Sequence, residues 1–391
     1  MSDQVTVTSN KNVLQRLGES IGGILLGFAL FLGAFPALFM NEGRAVDTAR
    51  ALAEMGKSYT VVDASSVNPA NEGKLVYVTG NAATKDIVAD ADTGISMNAI
   101  KLRRTVEMYQ WEERAETRTQ TKLGGGEEKV TTYTYTKGWS SSAKSSSSFH
   151  LPEGHQNPEM MFRGSGSSAD ESFYAGSVSL GAFRLSDSQI RGIGGDKPYF
   201  VSDPDIMKLR PSMRAKAKAN AGMIFLGYDP ANPQVGDHRI KYTVVTQPVT
   251  VSLMAQQTGT SFTPYISKNK QSRELISTGL VTPEQMILTA QKNNMILTWV
   301  LRFLFAFMMI SGLSMISKPL QVLAGILPPL GAVVGAGLGI VTFLVGGAFS
   351  LITIAIAWVF FRPIIGITLI AIAVAAIIAG FVIGGKKKSA S

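Results

Sequence analysis

Residues 295–385 constrain this chain more than any other stretch: no charged side chain lies between Lys318 and Arg362, and none between Arg362 and Lys386. A water-soluble domain of that size needs charge on its surface, so this segment belongs in a bilayer. A hydrocarbon core of about 30 Å takes roughly 20 apolar residues per helix, and the stretch supplies enough for three helices. We place them at residues 295–316, 333–361 and 363–384. The intervening residues 317–332 read as a cytoplasmic or interfacial loop. Within it, residues 320–327 form an interfacial or re-entrant piece ahead of Pro328-Pro329, or a further crossing that would move the C-terminus to the other face.

A second apolar run opens the chain. Residues 20–41 carry no charge and follow a polar segment, residues 1–19, that contains Lys11 and Arg16. A cleaved signal peptide has the same basic flank and small residues such as Ala34 and Ala37. The apolar core is longer than such a signal needs, so residues 20–40 are expected to stay as an anchor. One early and three late crossings put both termini on one face. The positive-inside rule assigns that face to the cytoplasm, since Lys11, Arg16, Lys318 and the tail 385–391 with Lys386-Lys387-Lys388 all fall there. Residues 41–294 are then an extracytoplasmic or lumenal domain.

Composition separates that domain from its flanks. The chain is 46% hydrophobic and only 17% charged, and because the apolar excess sits in the two flanking regions, the middle is left with a polar, globular composition. The net charge of +9 does not read as nucleic-acid binding, since no block of basic residues is longer than the terminal triple lysine. With no cysteine, disulfides, thiolate metal sites and cysteine nucleophiles are all excluded.

Inside the domain the periodicity is mostly that of strands. Residues 41–57 start it with an amphipathic helix, Ala45, Val46, Ala49, Leu52 and Ala53 on one face and Arg44, Asp47, Arg50 and Glu54 on the other. Residues 60–63 and 74–79 are short β runs. Residues 102–121 and 129–140 make a long hairpin around Leu123-Gly124-Gly125-Gly126, and the serine-rich stretch 140–148 is a loop. Residues 177–183, 221–228, 239–246, 249–255 and 262–266 read as strands, with a small helix after Ser186 closed by Gln189. The basic segment 207–220 reads as helical. Thr282-Pro283-Glu284-Gln285 starts a helix that is expected to run unbroken into the second span. The fold class that follows is a multi-pass α-helical membrane protein with four spans and a large β-rich α+β domain.

Several stretches resemble signatures of one family. Asn41-Glu42-Gly43-Arg44-Ala45, Asn71-Glu72-Gly73-Lys74-Leu75-Val76, the run from Ala99 through Lys101-Leu102-Arg103-Arg104 to Trp111, Gly154-His155-Gln156-Asn157-Pro158, Val235-Gly236-Asp237, Trp299 with Arg302, and Trp358-Val359-Phe360-Phe361-Arg362-Pro363 are similar in order to the LUMA, or transmembrane protein forty-three, family. The glycine- and serine-rich loops between Leu123 and Ser148 depart from its animal members. The resemblance implies four spans and a loop domain facing the lumen or the outside. It also implies residence in the endoplasmic reticulum and inner nuclear membrane for an animal member, self-association, and contact with lamins and emerin. For a bacterial member, which this cysteine-free chain could be, it implies an inner-membrane protein without those partners. The family offers no catalytic residue to carry over.

Candidate chemistry is sparse. His155 is the best single loop site, although a hydrogen-bonded anchor explains it more simply than a metal, because His150 and His238 complete no ligand spacing. The alternating charges of residues 101–116 read as a solvated strand face or inter-strand ion pairs. Trp299, Arg302, Trp358 and Arg362 fall at one membrane interface, and the arginines read as snorkelling anchors, with an ion or substrate path the alternative for Arg302. Gly331, Gly335 and Gly339 recur every four residues and clear one helix face for close packing. No cofactor, metal or catalytic set is expected. The function expected is a non-enzymatic membrane scaffold that forms homo-oligomers and organises other membrane or envelope proteins. A channel or transporter component and a membrane-tethered hydrolase are the alternatives.

Overall fold

The computed structural model describes residues 3–162, 168–368 and 371–372. They fall into two compact units. One is β-rich and holds residues 3–7, 54–117 and 130–288. The other holds residues 8–53, 118–129 and the long helices from residue 289 onward.

In the β-rich unit two sheets share one apolar core. The nine-stranded sheet runs in the order Asp3–Lys11, Glu127–Ser140, Ser96–Thr121, His238–Thr246, Met223–Leu226, Ala217–Asn220, with three short strands paired alongside. The seven-stranded sheet is centred on Val249–Thr258 and Leu75–Ala83, which pair antiparallel from Val249 opposite Ala82 to Gln256 opposite Leu75. Period-2 burial explains the choice of strand: Ile100, Leu102, Val106 and Met108 are buried while Arg103, Thr105 and Glu107 between them are not. Ile240, Val245, Val251 and Leu253 meet Ile100, Leu102 and Val106 in that same core, so both sheets bury one face together.

Most expected strands are present with shifted ends, but residues 262–266 divide into Ser261–Thr263 in the seven-stranded sheet and Tyr265–Ile266 in a separate two-stranded one. Thr60–Asp63 is as expected, and the hairpin is longer, Ser96–Thr121 with Glu127–Ser140. Residues 177–183 instead give two two-residue strands, Ser179–Leu180 and Phe183–Arg184, folded back on each other. Ser186 and Gln189 close their capping box. Residues 207–220 are not one helix: Pro211 starts a separate turn, Pro211–Arg214, and Ala217–Asn220 is a strand paired to Met223–Leu226.

The N-terminal segment also differs from a polar tail. Val5, Thr6, Val7 and Thr8 are β-branched, and Asp3–Lys11 forms the edge strand beside Glu127–Ser140. Thr6 Oγ1 lies 3.4 Å from Thr132 Oγ1, and Asp3 Oδ2 lies 3.2 Å from His155 Nε2. Residues 3–7 and the domain, which the charge rule would put on opposite faces, thus share one compact unit.

Among the described residues, three helices are long and apolar enough to cross a membrane: Val13–Ser58, Pro283–Ala324 and Pro328–Phe361. Four were expected, and most of the fourth, residues 363–384, lies outside the described residues, as do the terminal lysines. The amphipathic segment 41–57 is the continuation of the first helix, not a separate element. Asn12 caps that helix, accepting from the Gln15 amide at 2.8 Å while Gln15 accepts from the Asn12 amide at 3.0 Å. The second helix starts at Pro283 as expected but does not stop at Ser317. It runs through Pro319 to Ala324 and breaks at Gly325. Helical backbone in apolar surroundings keeps its polar groups satisfied internally, which favours continuation over a break at a single proline.

Within the helical unit, Ala34, Leu38 and Met309 form a small core flanked by Phe31, Phe35, Phe305 and Ile354. Gly27 and Gly312 let the first two helices approach closely: a Cβ on Gly312 would lie 2.6 Å from the Gly27 carbonyl oxygen.

Candidate functional site

The first helix leaves its apolar run at Asn41-Glu42, the second carries Arg302, and the third ends near Trp358. These three side chains meet. Arg302 donates from Nε to Glu42 Oε1 at 2.6 Å and from a terminal nitrogen to Oε2 at 2.7 Å, and Trp358 Nε1 donates to the same Oε2 at 2.8 Å. Glu42 is 0% exposed and Arg302 9%. The guanidinium also lies over two indoles, 4.6 Å from the Trp299 ring centre and 5.6 Å from that of Trp358. A bidentate, charge-assisted pair of this kind offsets the desolvation of both ions only because its geometry is good and its remaining positions are filled.

A polar layer continues from this pair. Arg44 donates to Asn294 Oδ1 at 3.0 Å, to Thr298 Oγ1 at 3.0 Å and to Asn41 Oδ1 at 3.1 Å. Asn41 Nδ2 donates to the Thr298 carbonyl at 3.1 Å, and Asn294 Nδ2 to the Ala45 carbonyl at 2.9 Å. The first and second helices are held in register by these bonds, and Trp358 ties the third to them. Glu42 and Arg302 neutralise each other, while Arg44 is held by neutral acceptors.

The anchors expected at one interface thus separate into different roles. Arg302 does not snorkel toward water; a fixed carboxylate within reach stabilises it better than extension does. Trp299 is half exposed and lies beside it, and Trp358 hydrogen-bonds inward. Arg362 ends the third helix, its amide bonded to the Trp358 carbonyl at 2.8 Å. Glu42 was missed as a partner. Its signal was present all the same: it is a lone carboxylate one residue past an uncharged run, and antiparallel helices bring it to the depth of the lone Arg302.

The glycine series also divides. A Cβ on Gly331 would lie 2.6 Å from Gly325 Cα, and one on Gly335 2.5 Å from the end of the Gln321 side chain, whereas Gly339 has nothing within 4 Å. Gly331 and Gly335 face the end of the preceding helix and Gly339 faces open space.

In the β-rich unit His155 is buried, stacked on Tyr135 at 3.9 Å, with Nδ1 3.0 Å from the Leu151 carbonyl. No cluster of metal-ligating side chains occurs among the described residues. The charged strand holds a second buried arginine that the solvated-face reading missed. Arg104 points inward, bonded to Asp90 at 2.8 Å, Asp92 at 3.0 Å and Glu171 at 3.3 Å. Tyr242 donates to Asp90 at 2.6 Å, and burial, followed by that carboxylate, pushes its hydroxyl well above the usual tyrosine range. Glu107, on the outer face, does make the expected inter-strand pair with Arg239 at 2.5 Å, which lowers its pKa against the opposing effect of burial.

A family model described as Transmembrane protein 43 matches residues 108–363. The rat protein named Transmembrane protein 43 is 34% identical over 93% of this chain and 90% of its own length. The chain belongs to the Transmembrane protein 43 family. The human Transmembrane protein 43 is 33% identical over 95% of this chain and 94% of its own length, and a Drosophila melanogaster homolog is 27% identical over 88% and 90%. These relatives are animal proteins, and a bacterial origin finds no support. No solved structure matches. The family name denotes a membrane protein and no reaction, and the three apolar helices agree with that. Arg302, Trp358 and Tyr242 fall within the residues that the Transmembrane protein 43 family model matches.

Proposed function

We propose that the chain is a non-enzymatic membrane scaffold that self-associates through its helices and gathers other membrane or envelope proteins through its β-rich domain. One observation carries this reading: Arg302, the one charged residue within the apolar run 295–316, is fully engaged with Glu42 and Trp358. Hydroxyls of the third helix are likewise engaged: Ser350 with the Gly346 carbonyl at 2.8 Å and Met309 Sδ at 3.4 Å, Thr353 with the Phe349 carbonyl at 2.7 Å, and Thr342 with Ser314 across helices at 3.1 Å. Groups used in this way hold helices in place and do not line a path, which weighs against the channel or transporter alternative. Self-association is supported by the exposed face of the third helix, where Gly339 is open beside Val333, Ile340 and Phe343.

Cross-linking in native membranes, with mass spectrometry of captured chains, tests both halves. The expected result is homo-oligomer cross-links that Gly339→Leu abolishes without changing the melting temperature, together with reproducible heterologous membrane partners. Ion or solute flux through the purified chain in liposomes, with no cross-linked copies, would favour the channel reading instead.

A further inference from the structure

The edge of the nine-stranded sheet carries a surface that neither the helix contacts nor the buried networks use. Residues 206–228 contain five cations, Lys208, Arg210, Arg214, Lys216 and Lys218, and no carboxylate. Ile206, Leu209, Ile224 and Leu226 pin the segment into the core, which leaves all five cations exposed. Arg210, Arg214 and Lys216 form no ion pair among the described residues. Lys208 is paired with Asp205 at 2.8 Å, and Lys218 bonds the Tyr228 carbonyl. The nearby acids do little to balance the rest. Burial would raise the pKa of Asp205, but its bonds from Lys208 and Ser202 outweigh that and hold it at about 2, so its charge is committed to Lys208. Asp203 and Asp229 flank the segment at its two ends.

Large apolar side chains stand among these cations. Phe200 is 74% exposed, Met207 63% and Tyr228 87%. Phe200 covers the turn at Gly222, where an added Cβ would lie 2.5 Å from its ring, and Met207 and Lys218 line one apolar cleft of about 560 Å³ with Ile206 and Ala219. Lys218 Nζ lies 5.4 Å from the Tyr228 ring centre. The patch is thus continuous, and unneutralised cations interspersed with exposed aromatic and thioether side chains make the composition that enters a lipid headgroup layer. A solvated basic face needs no exposed Phe and Met.

We infer that this edge is a docking surface for an anionic lipid bilayer, with the cations on the headgroup phosphates and Phe200 and Met207 inserted between them. The full chain, held in nanodiscs of phosphatidylcholine alone, is tested by co-flotation with separate vesicles of phosphatidylcholine with or without phosphatidylserine. Binding to the phosphatidylserine vesicles, lost at high salt, is expected. Exchanging Arg210, Arg214 and Lys216 together for Gln lowers it about a hundredfold, at roughly one factor of five per cation. Phe200→Ala with Met207→Ala, which leaves the charge unchanged, lowers it roughly tenfold. Both variants alter only exposed side chains, and their melting temperatures are compared with that of the parent chain. Equal flotation with the two vesicle types overturns the inference, as does a triple Gln variant that folds and still binds. Capture by immobilised polyglutamate without vesicle binding assigns the edge to an acidic protein and also overturns it.

Discussion

Arg302 among the helices and Arg104 in the β-rich unit are both withdrawn from water, yet they are neutralised differently. Arg302 has one carboxylate, Glu42, in bidentate contact, with indoles on its flanks. Arg104 has three, of which Asp90 is fully buried while the side chains of Asp92 and Glu171 are 48% and 41% exposed. In apolar surroundings each added charge needs its own partner, so one tight pair is the least costly arrangement. The sheet network reaches water through the half-exposed Asp92 and Glu171 and so accommodates spare acceptors. The difference implies that the helical site fails on loss of a single group, while the sheet site fails in steps.

The largest effect is therefore expected from Glu42→Ala. Removing the carboxylate leaves a guanidinium with two indoles and no counter-ion, at a cost of about 3–5 kcal/mol. Denaturation in detergent measures it. Exchanging the two charges, Glu42→Arg with Arg302→Glu, should recover part of the loss, and a double variant no better than the single one would show that pairing is not what holds the helices.

Asp90→Ala should cost less, about 2–3 kcal/mol, because Asp92 and Glu171 still face Arg104 while the Tyr242 and Thr93 hydroxyls lose an acceptor. Glu171→Ala, at a half-open position, should stay below about 1 kcal/mol. Equal costs for Asp90→Ala and Glu42→Ala in parallel melts would remove the distinction between one essential partner and several.

These two sites also mark how far the sequence alone could be read. The apolar runs were legible because a lipid-solvated helix is defined by length and missing charge, both local properties. Local chemistry likewise exposed the glycine loop of the long hairpin and the Ser186–Gln189 box. Glu42 and Arg302 are 260 positions apart, and no local pattern links them. Arg104 looked like any strand cation until burial of the even-numbered residues from Ile100 to Gln110 put it on the inner face. The N-terminal strand was missed because four β-branched residues are a weak signal without the partner, Glu127–Ser140, that completes their hydrogen bonds. Residues 207–220 have helical composition, but Ala221 and Gly222, at φ of 50° and 75°, turn the chain back on Met223–Leu226 and favour a hairpin.

Tyr242 should give the smallest effect and the one that discriminates best by pH. Its hydroxyl donates to Asp90 at 2.6 Å, so Tyr242→Phe should cost about 0.5–1.5 kcal/mol at neutral pH. The sign of the alkaline effect follows from the raised pKa. A tyrosine held protonated in the folded state contributes its full stability below the ordinary tyrosine pKa of about 10, and that contribution is lost as pH climbs from there through the raised folded value. The parent chain should then lose stability above about pH 10 more steeply than the Phe variant, and the two denaturation curves should converge as pH rises. If the variant instead tracks the parent at a constant offset through that range, the Tyr242 hydroxyl is not coupled to the Asp90–Arg104 network, and the sheet site is a plain ion pair like the one between the helices.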